Sequence, residues 1–338
     1  MAGEVLILTI DADPHAEHVA GLLAERGARA VVFDPADYPV RAVLDAAYGR
    51  DGRVRRRLRT TTADVDLDGL TALWFRRPQS PVAHAEIADE GARGHIEKEC
   101  AEFAGDLWEQ LDCRMVPAPR TRVKLAQRKS SQLALAGRLG FELPDTLITN
   151  DPDEFLDFYR RHEGRIITKT LGSAILARPD GEGVGRLSEP VSTRDVAYAD
   201  AIRFGPVIIQ EYVRKQVELR VTVVGRAVFA AEIHSQESNH TRFDWRRYDL
   251  GSTRHEVHRL PDEVAGRCVE IVERLGLRYG ALDLILTPDG RYVFLEINPT
   301  GQWLWIERAT GLPIGEALCD LLLYGEVKDE IGQTVRSA

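Results

Sequence analysis

The chain has 338 residues, 44% apolar and 29% charged, enough for about two domains with packed cores and unlike a disordered protein. Its net charge of −9 argues against a broad nucleic-acid surface, and no apolar run approaches the roughly 18 residues of a membrane-spanning helix. Cys100, Cys113, Cys268 and Cys319 are scattered with no CxxC spacing, which points to a reducing, cytoplasmic setting and away from structural zinc.

The opening "MAGEVLILTIDADPH" has no basic segment before its short apolar run, so a first strand is expected and not a signal peptide. "HAEHVAGLLAERGA" has helical apolar spacing with Gly27 near its end, and "AVVF" is the next strand. That is an α/β opening on a parallel sheet, without a GxGxxG. "RDGRVRRRLR" (50–59) holds six arginines and reads either as a solvated strand or hairpin edge or as a dock for an acidic peptide. "ALWFRRP" (72–78) is a strand ended by Pro78, a long helix covers about 90–112, and "MVPAPRTR" (115–122) is the first proline-rich boundary.

A helix is then expected to about Leu139, stopped by Gly140. "DPDEFLDFYRRH" starts the next one, with Asp151 as cap and Pro152 in its first turn. "RIITKTL" is a strand, and 170–188, with Gly172, Gly181, Gly183 and Gly185, is either a closing lid or a plain surface hairpin. "PVIIQEYV", "ELRVTVVG" and "AVFAAEIHS" are strands, 235–258 is polar and irregular, and 262–275 is helical. "GALDLILTPDGRYVFLEIN" is a hairpin around Pro-Asp-Gly, and a last helix spans about 312–323.

Two features carry chemistry. Only six of the 44 basic residues are lysine, namely Lys98, Lys124, Lys129, Lys169, Lys215 and Lys328. Each is therefore a candidate for work that a compact ammonium does better than a guanidinium, such as holding a phosphate oxygen. The second is "FLEINPTGQWLWIE" (294–307). Strand alternation places Tyr292, Phe294, Glu296 and Asn298 on one face. If Leu286 pairs with Arg291, Asp283 lies opposite Phe294 and diagonal to Glu296, and a register shifted by one would separate them. Carboxylates among Leu, Ile and Phe need a cation. Two answers are open: a divalent ion, for which two carboxylates and an amide oxygen are hard ligands suited to magnesium, or ion pairs with arginines such as Arg220.

Taken with the upstream motifs "QRKSSQLALA", "IITKTLGS" and "IIQEYV", the series resembles the ATP-grasp superfamily of carboxylate–amine ligases over about residues 120–325. The resemblance implies an α/β (α+β) ATP-grasp fold. It implies an N-terminal α/β pre-ATP-grasp domain at 1–119, a central and lid region at 120–208, a C-terminal region with the metal site at 209–328, and a tail at 329–338. It assigns Lys129 and Lys169 to the ATP phosphates. Gln210, Glu211, Tyr212 and Val213 go to the adenine, partly through backbone groups, and Glu218 to the ribose hydroxyls. Arg220 faces the γ-phosphate or acyl phosphate, and Asp283, Glu296 and Asn298 bind magnesium.

"WFRRP" (74–78), "LEINPTGQWLWIE" and "TGLPI" are similar, more narrowly, to the microviridin-type or graspetide ligases that mature ribosomal peptides. This likeness implies ATP and Mg2+ as cofactors and a precursor peptide as partner, with a leader and a core bearing Thr or Ser and Asp or Glu. No nucleic acid or membrane is expected, and a homodimer is. Such an enzyme phosphorylates an Asp or Glu side chain, and a Ser or Thr hydroxyl or a Lys amine then closes an ester or amide ring. His234 is a candidate base, set against a structural histidine. Trp303 and Trp305 form either a wall for the peptide or part of the core. Arg76 and Arg77 are either substrate contacts or an ion pair stitching the first domain to the second. The alternatives are a ligase of free amino acids or short peptides, and a non-catalytic nucleotide- or peptide-binding module.

Overall fold

A computed structural model of the chain describes residues 3–172, 175–176, 184–185, 188–237 and 253–328. The first stretch runs β1 (Glu4–Leu8), α1 (Pro14–Glu25), β2 (Arg29–Phe33), β3 (Val43–Tyr48), β4 (Val54–Arg59), β5 (Asp64–Asp66), β6 (Ala72–Phe75), α2 (Glu90–Glu109) and β7 (Arg114–Val116). It continues with α3 (Arg120–Ala126), α4 (Lys129–Arg138), β8 (Thr146–Thr149), α5 (Pro152–Arg161), β9 (Ile166–Lys169), β10 (Ile175–Leu176), β11 (Val184–Gly185) and β12 (Glu189–Pro190). The remainder is α6 (Thr193–Ala197), β13 (Val207–Glu211), β14 (Val217–Val224), β15 (Ala227–Ile233), β16 (His255–Val257), α7 (Asp262–Arg274), β17 (Tyr279–Leu286), β18 (Tyr292–Asn298), α8 (Leu304–Thr310) and α9 (Ile314–Tyr324).

The first sheet is parallel in the order β2-β1-β6-β7, as the strand–helix–strand opening requires. Asp13 caps α1 by accepting from the His15 N–H, and Pro14 takes the first helical position. The proline-rich boundary near 115 contains β7, a strand the sequence reading did not separate. The arginine-rich segment is β4, the central strand of β3-β4-β5 and not its edge. Leu58 points into the core beneath, while Arg56 and Arg57 reach Asp68 and Asp64 at 2.6 and 2.7 Å. Flanking aspartates neutralise these arginines, which is why the strand tolerates neighbours on both sides.

The second sheet is antiparallel, β12-β9-β13-β8, with α5 packing Phe155 and Phe158 against Ile166 and Ile209. The boundary expected at 208 falls inside β13, which pairs with both β8 and β9 and so belongs wholly to this sheet. Helices α3 and α4 lie before that sheet in the chain, yet Val123, Ala126 and Ala136 pack into the core of the third sheet. The expected lid is described only in part: β10 and β11 form a two-residue ladder, and Gly181 and Gly183 lie outside the described residues.

The third sheet, β16-β15-β14-β17-β18, is antiparallel. One face carries Leu219, Val221, Leu282 and Phe294 against α7 and α4. At the other face, Val224, Ala231 and Tyr279 join Val5, Val19 and Trp74 of the first sheet and Leu318 and Leu321 of α9 in a single core. Among the described residues, no helix is long and apolar enough to cross a membrane. The expected tail, 329–338, lies outside the described residues.

Candidate active site

The β17–β18 hairpin sets the chemistry. Leu286 pairs with Tyr292 and Leu284 with Phe294, one residue away from the register expected for this hairpin. Continued unchanged, that register would turn Glu296 to the core. An irregularity between Asp283 and Leu284 leaves Leu295 as an extra residue, and Asp283 comes directly opposite Glu296. Tyr292 and Phe294 therefore face the helices, with the Phe294 ring 5.3 Å from Phe141, while Leu295, Glu296 and Asn298 line a cleft. The four residues do not share one face, but the polar three do.

The cleft, about 520 Å³, is lined from β9 and β13 on one side and β14, β17 and β18 on the other. Lys129, Lys169, Gln210, Glu211, Tyr212, Val213, Glu218, Asp283, Glu296 and Asn298 all contribute to it. Lys129 opens α4 and its Nζ lies 2.5 Å from Glu296 Oε2. Gln210 is buried on β13 and donates to Thr146 Oγ1, while its Oε1 has no hydrogen-bond partner. A buried acceptor lost to solvent costs about 1–3 kcal/mol unless a ligand donor meets it, which suits an amino-bearing base bound against Ile167 and Ile285.

On β14, alternation points Glu218 and Arg220 to the cleft side. Arg220 is buried, with Nη1 donating to Asp283 Oδ1 at 2.8 Å and Nη2 to the Gln302 carbonyl at 3.4 Å. The ion-pair reading of Asp283 is thus realised. It does not compete with a divalent ion, because a carboxylate has about four acceptor sites. Asp283 and Glu296, adjacent across the ladder and joined by the Asn298 oxygen at the strand end, form an all-oxygen donor set that fits magnesium. Asn298 Oδ1 also accepts from the Thr300 N–H at 3.0 Å, which fixes its amide orientation.

The remaining candidates separate. Arg76 is buried, with Nε 3.4 Å from Asp13 Oδ2 and Nη1 donating to the Thr300 carbonyl at 2.9 Å. It is the stitch between the first sheet and the turn after the hairpin, whereas Arg77 is exposed. Trp303 is fully buried between His15 and His18 in the shared core, so it offers no wall to a substrate. Trp305 is half-buried, its ring 5.1 Å from that of His255.

His234 is not brought to the cleft. It stands 3.1 Å from Glu232 Oε2 and 3.6 Å from Glu256 Oε2, and Arg254 Nη2 donates to its Nδ1 at 2.9 Å. Glu232 pairs with Leu219 across the ladder, so this group sits on the face opposite Arg220. Strand parity gives the cleft-side face to Ile233 and its partner His255.

Two contributors were given no place in the site by sequence reasoning. Lys215 is buried and pairs its ammonium with Glu218 at the cleft, and its retention as one of six lysines was the available signal. Buried Gln132 donates to the Ile297 carbonyl at 2.8 Å and accepts from the Ile297 N–H at 3.1 Å. It thereby pins the strand between Glu296 and Asn298 to α4, and nothing local marked it.

A family model described as an MvdD pre-ATP grasp domain matches residues 4–122. Over 95% of its length the chain is similar to the macrocyclase MdnC of Microcystis aeruginosa, solved bound with the precursor peptide MdnA. The TM-score is 0.84 at 28% identity, covering 99% of that chain. Macrocyclase MdnB of the same organism is 30% identical with a TM-score of 0.79, over 96% of this chain and all of that one. A RiPP-associated ATP-grasp ligase of Chryseobacterium gregarium, in complex with ADP and a leader and core peptide, gives 0.86 at 27% identity, over 95% and 96%. Among curated proteins, the tetrahydromethanopterin:alpha-L-glutamate ligase of Methanocaldococcus jannaschii is 24% identical over 187 residues, 53% of this chain and 60% of that protein. The chain spans about 60% of the length of the curated relatives it matches. With full-length similarity to MdnB at 30% identity and a cleft assembled from the expected residues, the chain belongs to the ATP-grasp ligases of the graspetide type.

Proposed function

We propose that the chain is an ATP-dependent peptide ligase that activates Asp or Glu side chains of a ribosomal precursor peptide and closes intramolecular ester or amide rings. The observation that carries this reading is the full-length likeness to MdnB and MdnC, both macrocyclases. The reading takes the precursor's leader and core as partner, with no nucleic acid or membrane, and a homodimer in the cytoplasm. Four free cysteines support the last point.

A carboxylate is a poor electrophile and a hydroxyl a poor nucleophile, so activation must come first. In this reading Lys129 and Lys169 hold the ATP phosphates from two sides of the cleft. Gln210 to Val213 take the adenine, and Glu218, oriented by Lys215, takes the ribose. Asp283, Glu296 and Asn298 hold magnesium, which when bound neutralises charge on the transferring phosphoryl oxygens. Arg220, fixed by Asp283 and the Gln302 carbonyl, meets the incoming carboxylate that would otherwise repel ATP. The carboxylate oxygen attacks the γ-phosphorus and ADP leaves. The hydroxyl or amine then attacks the acyl carbon, losing its proton, and inorganic phosphate leaves. This reading gives His234 no step, since it stands 3.1 Å from Glu232, whose ladder partner is Leu219 on the face away from Arg220.

The test is incubation with ATP, magnesium and a candidate precursor bearing Thr and Asp or Glu, followed by mass spectrometry. One water should be lost per ring. ATP turnover with free amino acids and none with peptide would establish the second reading, a free-amino-acid ligase, which the likeness to the glutamate ligase favours. A non-catalytic module would turn over ATP with neither.

A further inference from the structure

The turn that follows the candidate metal ligands is held at several of its peptide groups by side chains, four of which, those of Arg76, Tyr279, Arg220 and His15, are buried. The Thr300 N–H donates to Asn298 Oδ1, and its carbonyl accepts from Arg76 Nη1 at 2.9 Å. The Gly301 carbonyl accepts from the Tyr279 hydroxyl at 2.7 Å, and the Gln302 carbonyl from Arg220. The N–H groups of Trp303 and Leu304 both donate to His15 Nε2, at 3.2 and 3.1 Å. These are two of the orphan donors at the start of α8, whose own sequence supplies no side-chain cap.

His15 can accept at Nε2 only as the neutral tautomer protonated at Nδ1. Asp13 enforces that tautomer, with Oδ1 3.2 Å from Nδ1, and is itself held by Thr9 Oγ1 at 2.7 Å and by Arg76. Thus Asp13, His15 and Arg76 form one buried cluster that grips the turn at Thr300, Trp303 and Leu304.

We propose that His15, with Asp13 and Arg76, is a proton-sensitive positioning residue, through which the first domain holds Asn298 and Arg220 in their binding geometry. The proposal rests on the site assignment made above. Protonating Nε2 would set an N–H against two N–H groups, release the start of α8 and free the turn that carries the Gln302 carbonyl. Burial pulls the His15 pKa below its ordinary value, Asp13 opposes that pull, and the Arg76 charge adds to it. The other charged or titratable groups facing this cluster are Arg77, His18 and Glu307 of α8, and Tyr279 of β17. Acidification below the usual histidine range should therefore weaken binding of magnesium–ADP.

The experiment is calorimetric titration of the full chain with magnesium–ADP between about pH 7.5 and about pH 4.5, a span that passes below the ordinary histidine range. His15→Ala should weaken binding about tenfold at neutral pH, the scale for losing an outer support of a metal site. His15→Gln keeps an acceptor at the same reach without a titrating ring. It should bind as the wild type does at neutral pH and lose part of the acid weakening. An equal affinity for wild type and His15→Ala would overturn the proposal, as would an unchanged acid profile in His15→Gln. If His15→Ala does not fold, the His15→Gln profile decides alone. If Glu296→Gln leaves magnesium–ADP binding unaltered, the site assignment fails and the proposal with it. Normal loss in Glu296→Gln with no effect at His15 removes the positioning role only.

Discussion

Asp283 and Glu296 face each other across the β17–β18 ladder because Leu295 is one residue too many for the pairing that begins at Leu286 and Tyr292. The bulge lets a strand whose first half is buried against helices present two successive side chains to the cleft in its second half. Bulges commonly re-aim side chains next to functional sites, and here one recruits the acid that a regular ladder would bury.

Glu296 Oε2 also accepts from the Lys129 ammonium at 2.5 Å, which joins the proposed phosphate lysine to the proposed metal ligand. Glu296→Gln should lower kcat for ADP release about 10²–10³-fold, the scale for losing one preorganised electrostatic contact. Circular dichroism should remain native. Lys129→Met should weaken nucleotide binding as well, because it strips Glu296 of its counter-charge.

Gly301 is the glycine of the Pro-Thr-Gly turn, and its need is spatial. A Cβ there would lie 2.4 Å from the Ala281 Cβ, a rigid neighbour on β17. Gly301→Ala should destabilise the protein by about 1–3 kcal/mol in urea unfolding, the range for overpacking a filled site. Adding Ala281→Gly should recover much of the loss, as contacting sites couple in double-mutant cycles.

The two tryptophans should respond differently. Trp303→Ala removes a wholly buried indole and should cost about 3–5 kcal/mol of stability. Trp305→Ala should cost much less and appear instead as a raised KM for the peptide. Equal losses of stability in both variants would place Trp305 in the core with its neighbour.

Stability should fall in acid for a nameable reason. Burial alone would raise the Asp13 pKa, but hydrogen bonds from His15 and Thr9 and the Arg76 charge overcome it and hold the carboxyl far below its ordinary 3.8. Its contribution is present above about pH 3.8 and is lost as pH falls toward the depressed folded value. His15, also lowered, resists protonation in the folded state, so its contribution is complete above about pH 6.5 and declines below it. Asp13→Asn should flatten the acid limb of a urea-unfolding series below about pH 4.

Much of this was legible beforehand. The opening strand, capped helix and strand carry their caps and periodicity locally, and so does α5 with Asp151 and Pro152. The candidate nucleotide and candidate metal residues follow ordered motifs, and the cleft gathers them. Features set by long-range partners were not legible. Leu295 is an extra residue only relative to β17, 167 residues separate Lys129 from Glu296, and Gln132 is informative only because Ile297 lies beside it. His234 was a plausible base until strand parity turned it to the other face. Helix α8 was not legible because it has only seven residues and no side-chain cap of its own to mark its start.

The core that unites β1, α1 and β6 with β14, α8 and α9 bears on how such enzymes can be recombined. Nine of its buried residues come from the first 116 positions and fourteen from Val224 onward, so neither part is a portable cassette. A fragment beginning near residue 120 would expose Trp303, Leu318 and Leu321 to water. A chimera joined there would work only if Val5, Val19 and Trp74 travelled with the α9 face they fit. Parts bred in different ancestors would meet first at this seam, and specificity grafts are better cut within the second sheet.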